Sequence, residues 1–327
     1  MPGAINRRLF LKTSVAGLAL SQSVNPSFAG DTKISKNTYT YKKVDGLEIQ
    51  ADVYRADDDK TRPVAIWIHG GALIMGNRGG VSGKVKQFCA DAGYALVSID
   101  YRLAPGSKIS EIISDVQDAY SWVHKQGPEL FNVDTEKIAV LGGSAGGYLT
   151  LMTGFCVKPR PTVLIPFWGY GDLVGDWYSK PSEHYRKQPL VKPEEFAELL
   201  KSEPTPNGNL LRDQRRAYYL YCRQQGEWPQ RISGFDPISE SEKYDPYSPV
   251  RNVTSKYPPT LMVHGTIDTD VPYEQSVMME QQFKKHDVEH EFVTVPHAGH
   301  GLSGGDRKLI DRAYERAMAF MHAEMQK

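Results

Sequence analysis

Five short runs of almost uninterrupted apolar residues constrain this chain most. They are Val64-Ala65-Ile66-Trp67-Ile68, Ala95-Leu96-Val97-Ser98-Ile99, Ile138-Ala139-Val140-Leu141, Val163-Leu164-Ile165 and Thr260-Leu261-Met262-Val263. A strand that is apolar on both sides must be covered on both faces, as in a parallel sheet between layers of helices. Amphipathic stretches separate the runs. Residues 82–92 end at Gly93, and residues 109–126 carry Ile112, Ile113, Val116, Ala119, Tyr120 and Val123 at helical spacing before a Gly127-Pro128 stop. Residues 148–155, 273–286 and 306–325 complete the set. Strand and helix in alternation predict an α/β fold with right-handed crossovers and a mostly parallel central sheet flanked by helices.

The two ends of this pattern differ from its middle. Residues 38–41 and 47–54 alternate apolar and polar around Asp45-Gly46, which predicts a half-buried antiparallel hairpin. Residues 171–249 break the rhythm and are rich in Pro, Lys, Glu and Tyr. They are expected to be an insertion between two sheet strands, a cap, with helices at 193–202 and 210–225. Trp177, Tyr185, Tyr218, Tyr219, Tyr221 and Trp228 supply it with a small core of its own.

The first 29 residues read as an export signal. Asn6-Arg7-Arg8-Leu9-Phe10-Leu11-Lys12 precedes an apolar segment and the small-residue site Ser27-Phe28-Ala29. The arginine pair, with Phe10 and Lys12 at their offsets, is similar to a twin-arginine signal. Cleavage before Gly30 would leave 30–327 as the folded unit, periplasmic or extracellular in a bacterium and without a stable membrane anchor. With 39 acidic and 39 basic residues the formal net charge is zero, and no basic stripe is present to hold nucleic acid. Cys89, Cys156 and Cys222 have neither disulfide-framework nor zinc spacing, and are expected to be buried small apolar residues.

The chemistry concentrates after the third apolar run. Gly142-Gly143-Ser144-Ala145-Gly146 satisfies G-x-S-x-G, the signature of a serine held on a tight strand-to-helix turn. A serine hydroxyl is a weak nucleophile and needs a base, itself oriented by an acid, in the chain order Ser, Asp or Glu, His. Asp268 follows the buried run ending at Val263 and is favoured as the acid; Asp270 is its competitor, otherwise read as a loop-capping residue. His297 and His300 both follow the strand 291–295, and His300, between glycines and before the last helix, is favoured as the base. His264 and His290 read as structural or solvated. Amides of Gly70 and Gly71 after the first apolar run, with that of Ala145, are candidate donors to an oxyanion. His69 is expected to prop that loop.

Taken together, HGGA at 69–72, DYRLAP at 100–105, GGSAGG at 142–147, HGTIDTDVP at 264–272 and HAGHG at 297–301 resemble the α/β-hydrolase-fold serine esterases. The closest groups are the bacterial acetyl esterases and feruloyl-esterase-like enzymes, related to the hormone-sensitive lipases. The resemblance runs over about residues 44–325. It implies ester hydrolysis through an acyl-enzyme, with Ser144 as nucleophile, Asp268 and His300 as its partners, and Gly70, Gly71 and Ala145 as oxyanion donors. Two positions depart from the pattern: Ala72 stands where HGGG has its last glycine, and Gly143 stands where the lipase branch has an acid. Both weaken assignment to that branch, not to the fold.

A secreted carboxylesterase is therefore expected, acting on a small-molecule or carbohydrate ester carrying acetyl or feruloyl groups. No metal or organic cofactor is called for. Trp168 and Tyr170 are candidate substrate-binding residues, and Asp100 and Arg102 an ion pair or loop brace. An oligopeptidase-type serine peptidase is the alternative, against which the lack of a propeller-sized region before Val44 argues. A non-catalytic binding protein on the same scaffold would be expected to have lost part of the triad.

Overall fold

The computed structural model describes residues 33–327. The proposed export signal lies outside the described residues. Strands β1 (Ile34–Val44), β2 (Leu47–Ala56), β3 (Arg62–Ile68), β4 (Ala95–Ile99), β5 (Val133–Gly143), β6 (Val163–Phe167), β7 (Thr260–Gly265) and β8 (His290–Val295) form one eight-stranded sheet. Its order is β1-β2-β4-β3-β5-β6-β7-β8. β1 and β2 pair antiparallel, as does β2 with β4, and the remaining pairs are parallel. The expected hairpin turns at Asp45 and Gly46, with φ of 48° and 84°, the left-handed pair that suits the twist of two joined strands.

The continuous apolar runs are buried on both faces, and successive residues serve different layers. Val64, Ile66 and Ile68 face one core with α2 (Ile109–Phe131), α3 (Ala145–Cys156) and α7 (Glu274–Lys285). Ala65 and Trp67 face the other, with α1 (Gly83–Asp91) and α8 (Arg307–Gln326). That two-sided burial is why these strands do not alternate. Asp306 caps α8, its carboxylate accepting from the N–H groups of Lys308 and Leu309.

Several boundaries differ from those expected. α2 does not stop at Gly127-Pro128 but runs on to Phe131, ending at left-handed Asn132. Phe131 is buried, with its ring 5.3 Å from that of Trp122 and 5.7 Å from that of Tyr39, so packing holds the last turn through the proline. In the insertion, residues 193–202 form not one helix but two 3-10 turns, Pro193–Phe196 and Leu199–Lys201. Buried Phe196 and Leu199 are three apart, the period of a 3-10 turn, and the Leu199 N–H goes to Gln214 Oε1. The next helix, α5 (Arg212–Gln225), starts two residues later than expected because Leu211 has φ 52°. Helices α4 (Asp176–Ser179) and α6 (Trp228–Ser233) were not anticipated. Cys89 and Cys222 are buried as expected, but Cys156 is half-exposed; all three are free thiols.

The DYRLAP residues form ion pairs, though not with each other. Asp100 binds Arg78, accepting its backbone N–H at 2.7 Å and its guanidinium. Arg102 binds Asp115 through Nε at 2.8 Å and Nη2 at 2.9 Å. Each pair ties the loop after β4 to a different neighbour: the segment after β3 in one case, α2 in the other.

The sheet order carries a consequence for function. After β3 the chain moves outward to β4, then returns past β3 to form β5. The loops after β3 and β5 thus leave the sheet side by side at a topological switch point, where open α/β sheets gather their sites. The approach is very close. A Cβ at Gly146 would stand 2.0 Å from the Ile68 carbonyl oxygen at the end of β3. Gly146→Ala is therefore expected to destabilise the fold by about 3 kcal/mol, since backbone must move, whereas Gly83→Ala, with nothing within 4 Å of the new methyl, should be neutral or slightly stabilising. Urea unfolding of the two variants checks the contrast.

Candidate active site

Ser144 sits at the turn between β5 and α3 with φ 58° and ψ −123°. Few residues hold such a conformation, and it persists only where the surroundings fix it. Here the Ser144 N–H donates to Phe167 O at 3.0 Å, and the Ser144 carbonyl accepts from Tyr148 N at 2.9 Å. The side chain is left half-exposed at the head of α3.

Asp268 and His300 come to it from loops after β7 and β8. His300 Nε2 lies 3.0 Å from Ser144 Oγ, and His300 Nδ1 lies 2.8 Å from Asp268 Oδ2. Asp268 is buried. Burial alone would raise its pKa, but bonds from His264, His300 and the Val271 N–H hold the carboxyl well below the usual carboxylate range. An ionised carboxylate can only accept, so Nδ1 carries a proton and Nε2 is left free to accept from the serine hydroxyl. Burial also pulls His300 down, but the Asp268 bond and the charges of Asp270 and Asp268 outweigh it, and its pKa stands above the ordinary 6.5. This arrangement can move a proton from hydroxyl to imidazole.

The alternatives for acid and base differ in their contacts: Asp268 meets His300 Nδ1 at 2.8 Å, while Asp270 Oδ2 lies 3.4 Å from Nε2. His297 is exposed, and its backbone N–H goes to Thr266 Oγ1. Asp270 is not the loop cap it was expected to be. Asp268 does the capping: its Oδ1 accepts the N–H groups of Asp270 at 2.8 Å and Val271 at 2.9 Å. Asp270 turns instead to the insertion. Its Oδ1 accepts from Tyr185 Oη at 2.8 Å, from Arg223 Nη1 at 2.7 Å and from Tyr219 Oη. Buried Arg223 lies against the rings of Trp177, Tyr178, Tyr185 and Tyr219.

His264 is fully buried and supports Asp268 from behind. Its Nε2 is 3.0 Å from Val271 O and 3.3 Å from Asp268 Oδ2, and its Nδ1 is 2.7 Å from Ser276 Oγ. A ring nitrogen that faces a carbonyl and a carboxylate must be the protonated one. His264, expected to be structural or solvated, is structural: it meets Asp268 four residues on, with its ring oriented by Ser276 on α7 and Val271 on the intervening loop.

The loop after β3 supplies the other half. A Cβ at Gly70 would stand 3.2 Å from Ser144 Cβ, and Gly71 has φ 115°, a conformation open to glycine. Among the described residues neither glycine's N–H donates to another protein group. The N–H of Ala145, first in α3, has no partner within its helix. His69 props the loop as expected: it is buried, stacks 4.2 Å from Tyr101 and bonds Gly70 O through Nδ1 at 2.8 Å, and burial pulls its pKa down to about 4. Ala72 and Leu73 both have left-handed φ, 56° and 62°. The insertion steadies this loop. Trp228 Nε1 donates to Ala72 O at 3.2 Å, and buried Arg215 Nη1 donates to Ile74 O at 2.8 Å and Ala104 O at 3.0 Å.

Of the two candidate substrate-binding aromatics, Trp168 comes to the site and Tyr170 does not expose any surface to it. Trp168 is half-buried, lies over Gly143 and presents its ring 6.5 Å from that of His300. Tyr170 stacks on Tyr148 at 4.9 Å and meets Trp177, Tyr178 and Trp228 edge-on. Among the described residues no group of three or more His, Cys, Asp or Glu could hold a metal ion.

A profile of the alpha/beta hydrolase fold matches residues 65–303. The chain belongs to the alpha/beta hydrolase family. Among curated proteins it is 29% identical over 315 residues to a non-reducing polyketide synthase of Penicillium rubens, and 28% identical over 322 residues to one of Aspergillus terreus. These matches cover 82% and 83% of this chain but only 12% and 13% of the relatives' length. Among solved structures, a Staphylococcus aureus protein of unknown function superposes with a TM-score of 0.71 at 23% identity, covering 88% of this chain and 99% of that one. A propionate-bound esterase from Thermogutta terrifontis gives 0.62 at 22%, covering 88% and 94%. A truncated carbohydrate esterase from gut microbiota gives 0.63 at 19%, covering 91% and 99%. This hydrolase matches all three in fold.

Arg223 is expected to be the keystone of the insertion's contact with the acid loop. Arg223→Ala strands Asp270 and removes packing against four rings, and should destabilise the protein by about 3 kcal/mol. Urea unfolding would read this; a loss below about 1 kcal/mol would contradict that role.

Proposed function

We propose that this hydrolase is a serine carboxylesterase working through an acyl-enzyme. The observation that carries the reading is the hydrogen-bonded series Ser144 Oγ, His300 Nε2, His300 Nδ1, Asp268 Oδ2, built at a strand-to-helix turn within a hydrolase fold. His300 takes the Ser144 proton as Oγ attacks the ester carbon. The carbonyl oxygen becomes an oxyanion and receives hydrogen bonds from the N–H groups of Gly70, Gly71 and Ala145. The carbon–oxygen bond to the alcohol breaks, and His300 gives its proton to the departing oxygen. Water then attacks the acyl-Ser144 ester, His300 takes its proton, and the acid leaves as Ser144 regains a hydrogen.

The substrate class proposed is an acyl ester of a small molecule or carbohydrate, with acetyl and feruloyl groups first among the acids. Export directed by residues 1–29 would bring the enzyme to such esters outside the cytoplasm. Trp168, beside His300 and over Gly143, is the residue proposed to line the substrate.

The test is hydrolysis of p-nitrophenyl acetate. Ser144→Ala should lower kcat by at least about 10⁴-fold with the fold intact. The rate should also report His300. Only the neutral imidazole accepts the serine proton, so kcat/KM falls as pH drops through the histidine pKa. Because that pKa is raised, the half-maximal point of the acidic limb should lie above pH 6.5. Cleavage of chromogenic dipeptides in preference to acyl esters would replace this reading with a peptidase, and no turnover of any short acyl ester by folded protein would end it.

A further inference from the structure

Asp270 stands between His300 and the insertion, and its two carboxylate oxygens are treated unequally. Oδ1 takes Tyr185 Oη, Tyr219 Oη and Arg223 Nη1. Arg223 Nη1 also donates to the Asp270 backbone carbonyl at 2.9 Å. The side chain is therefore fixed, and its charge is matched by a guanidinium that is 3% exposed. Oδ2 has no hydrogen-bond donor among the described residues. It faces His300 Nε2 at 3.4 Å, outside ordinary N–H···O range, while Nε2 is engaged with Ser144 Oγ at 3.0 Å. A carboxylate oxygen held beside Ser144 and His300 with no protein donor is available as an acceptor.

The identity of that donor follows from the chemistry of the site, given the esterase reading on which this inference rests. To receive its proton, the departing ester oxygen must come within hydrogen-bond reach of His300 Nε2. A substituent on the next carbon of the alcohol then lies beside Asp270 Oδ2. We propose that Asp270 is a specificity-determining residue whose Oδ2 accepts a hydrogen bond from a hydroxyl next to the scissile ester oxygen, so that the preferred substrates are esters of vicinal diols, such as partly acylated sugars and glycerol. A neutral hydroxyl fits better than an ammonium group, because Arg223 already balances the Asp270 charge. A simple alkyl ester offers Oδ2 no hydrogen bond. Selection by a hydrogen-bonding group held in place against an analogue that lacks the hydroxyl is the stronger form of discrimination available to a pocket.

The experiment compares kcat/KM for 2-hydroxyethyl acetate and propyl acetate, which share an acetyl group and differ by a hydroxyl in place of a methyl. The wild-type enzyme should prefer the hydroxylated ester by about tenfold or more, the worth of a hydrogen bond to a charged acceptor. Asp270→Ala removes the acceptor. Asp270→Leu keeps much of the bulk and offers the alcohol neither an acceptor nor a donor. In both variants the preference should fall to within about twofold. The ratio is taken within each protein, so any change in His300 basicity cancels. A wild-type ratio near one, or a ratio preserved in a folded variant, overturns the inference, and the wild-type ratio decides even if both variants fail to fold. If p-nitrophenyl acetate is hydrolysed but the two alkyl esters are equivalent, only this inference falls; if none of the three esters turns over, the esterase reading falls with it.

Discussion

The Asp268 carboxylate is the interaction on which the site depends. One oxygen closes the loop after β7 by accepting the N–H groups of Asp270 and Val271. The other fixes the tautomer of His300 and takes support from His264. A single buried charge thus shapes the loop and orients His300. It can stay ionised in the interior because its donors hold its pKa down against burial. Protonation or replacement of Asp268 would therefore disturb loop shape and proton transfer together, and the two effects cannot be separated at this residue.

The insertion contributes more than a roof. It reaches the loop after β3 through Trp228 and Arg215, and the loop after β7 through Arg223, Tyr185 and Tyr219. Ala72 and Leu73 hold left-handed conformations that ordinarily favour glycine. The bond from Trp228 Nε1 to Ala72 O helps hold that conformation. This gives a physical account of why alanine stands where the HGGG pattern has glycine: the strain is supported from outside the loop. At Gly143, the other departure, a Cβ would stand 3.2 Å from the Trp168 ring, a tight contact that a longer side chain would worsen.

Much of this was legible in the sequence, and the reasons are local. The apolar runs announce the sheet because burial on both faces is written into consecutive residues. Ser144 is announced by glycines that remove colliding side chains at fixed offsets, and Asp268 and His300 by their order and their places after apolar runs. The failures share another cause. Whether α2 continues past Pro128 depends on Phe131 meeting Tyr39 and Trp122. The role of Asp270 depends on Tyr185, Tyr219 and Arg223, more than forty positions away. Asp100 and Arg102, two apart in the motif, find different partners. None of these pairings leaves a trace in the spacing of its own segment.

The most direct test of the central claim needs no knowledge of the natural ester. A fluorophosphonate probe reacts with a serine only when a neighbouring base has made its oxygen nucleophilic. Peptide mapping after labelling should find the adduct on Ser144 in the wild-type protein, and His300→Ala should abolish it while the fold is retained. Folded wild-type protein that takes up no label, or takes it up at another serine, would contradict the account.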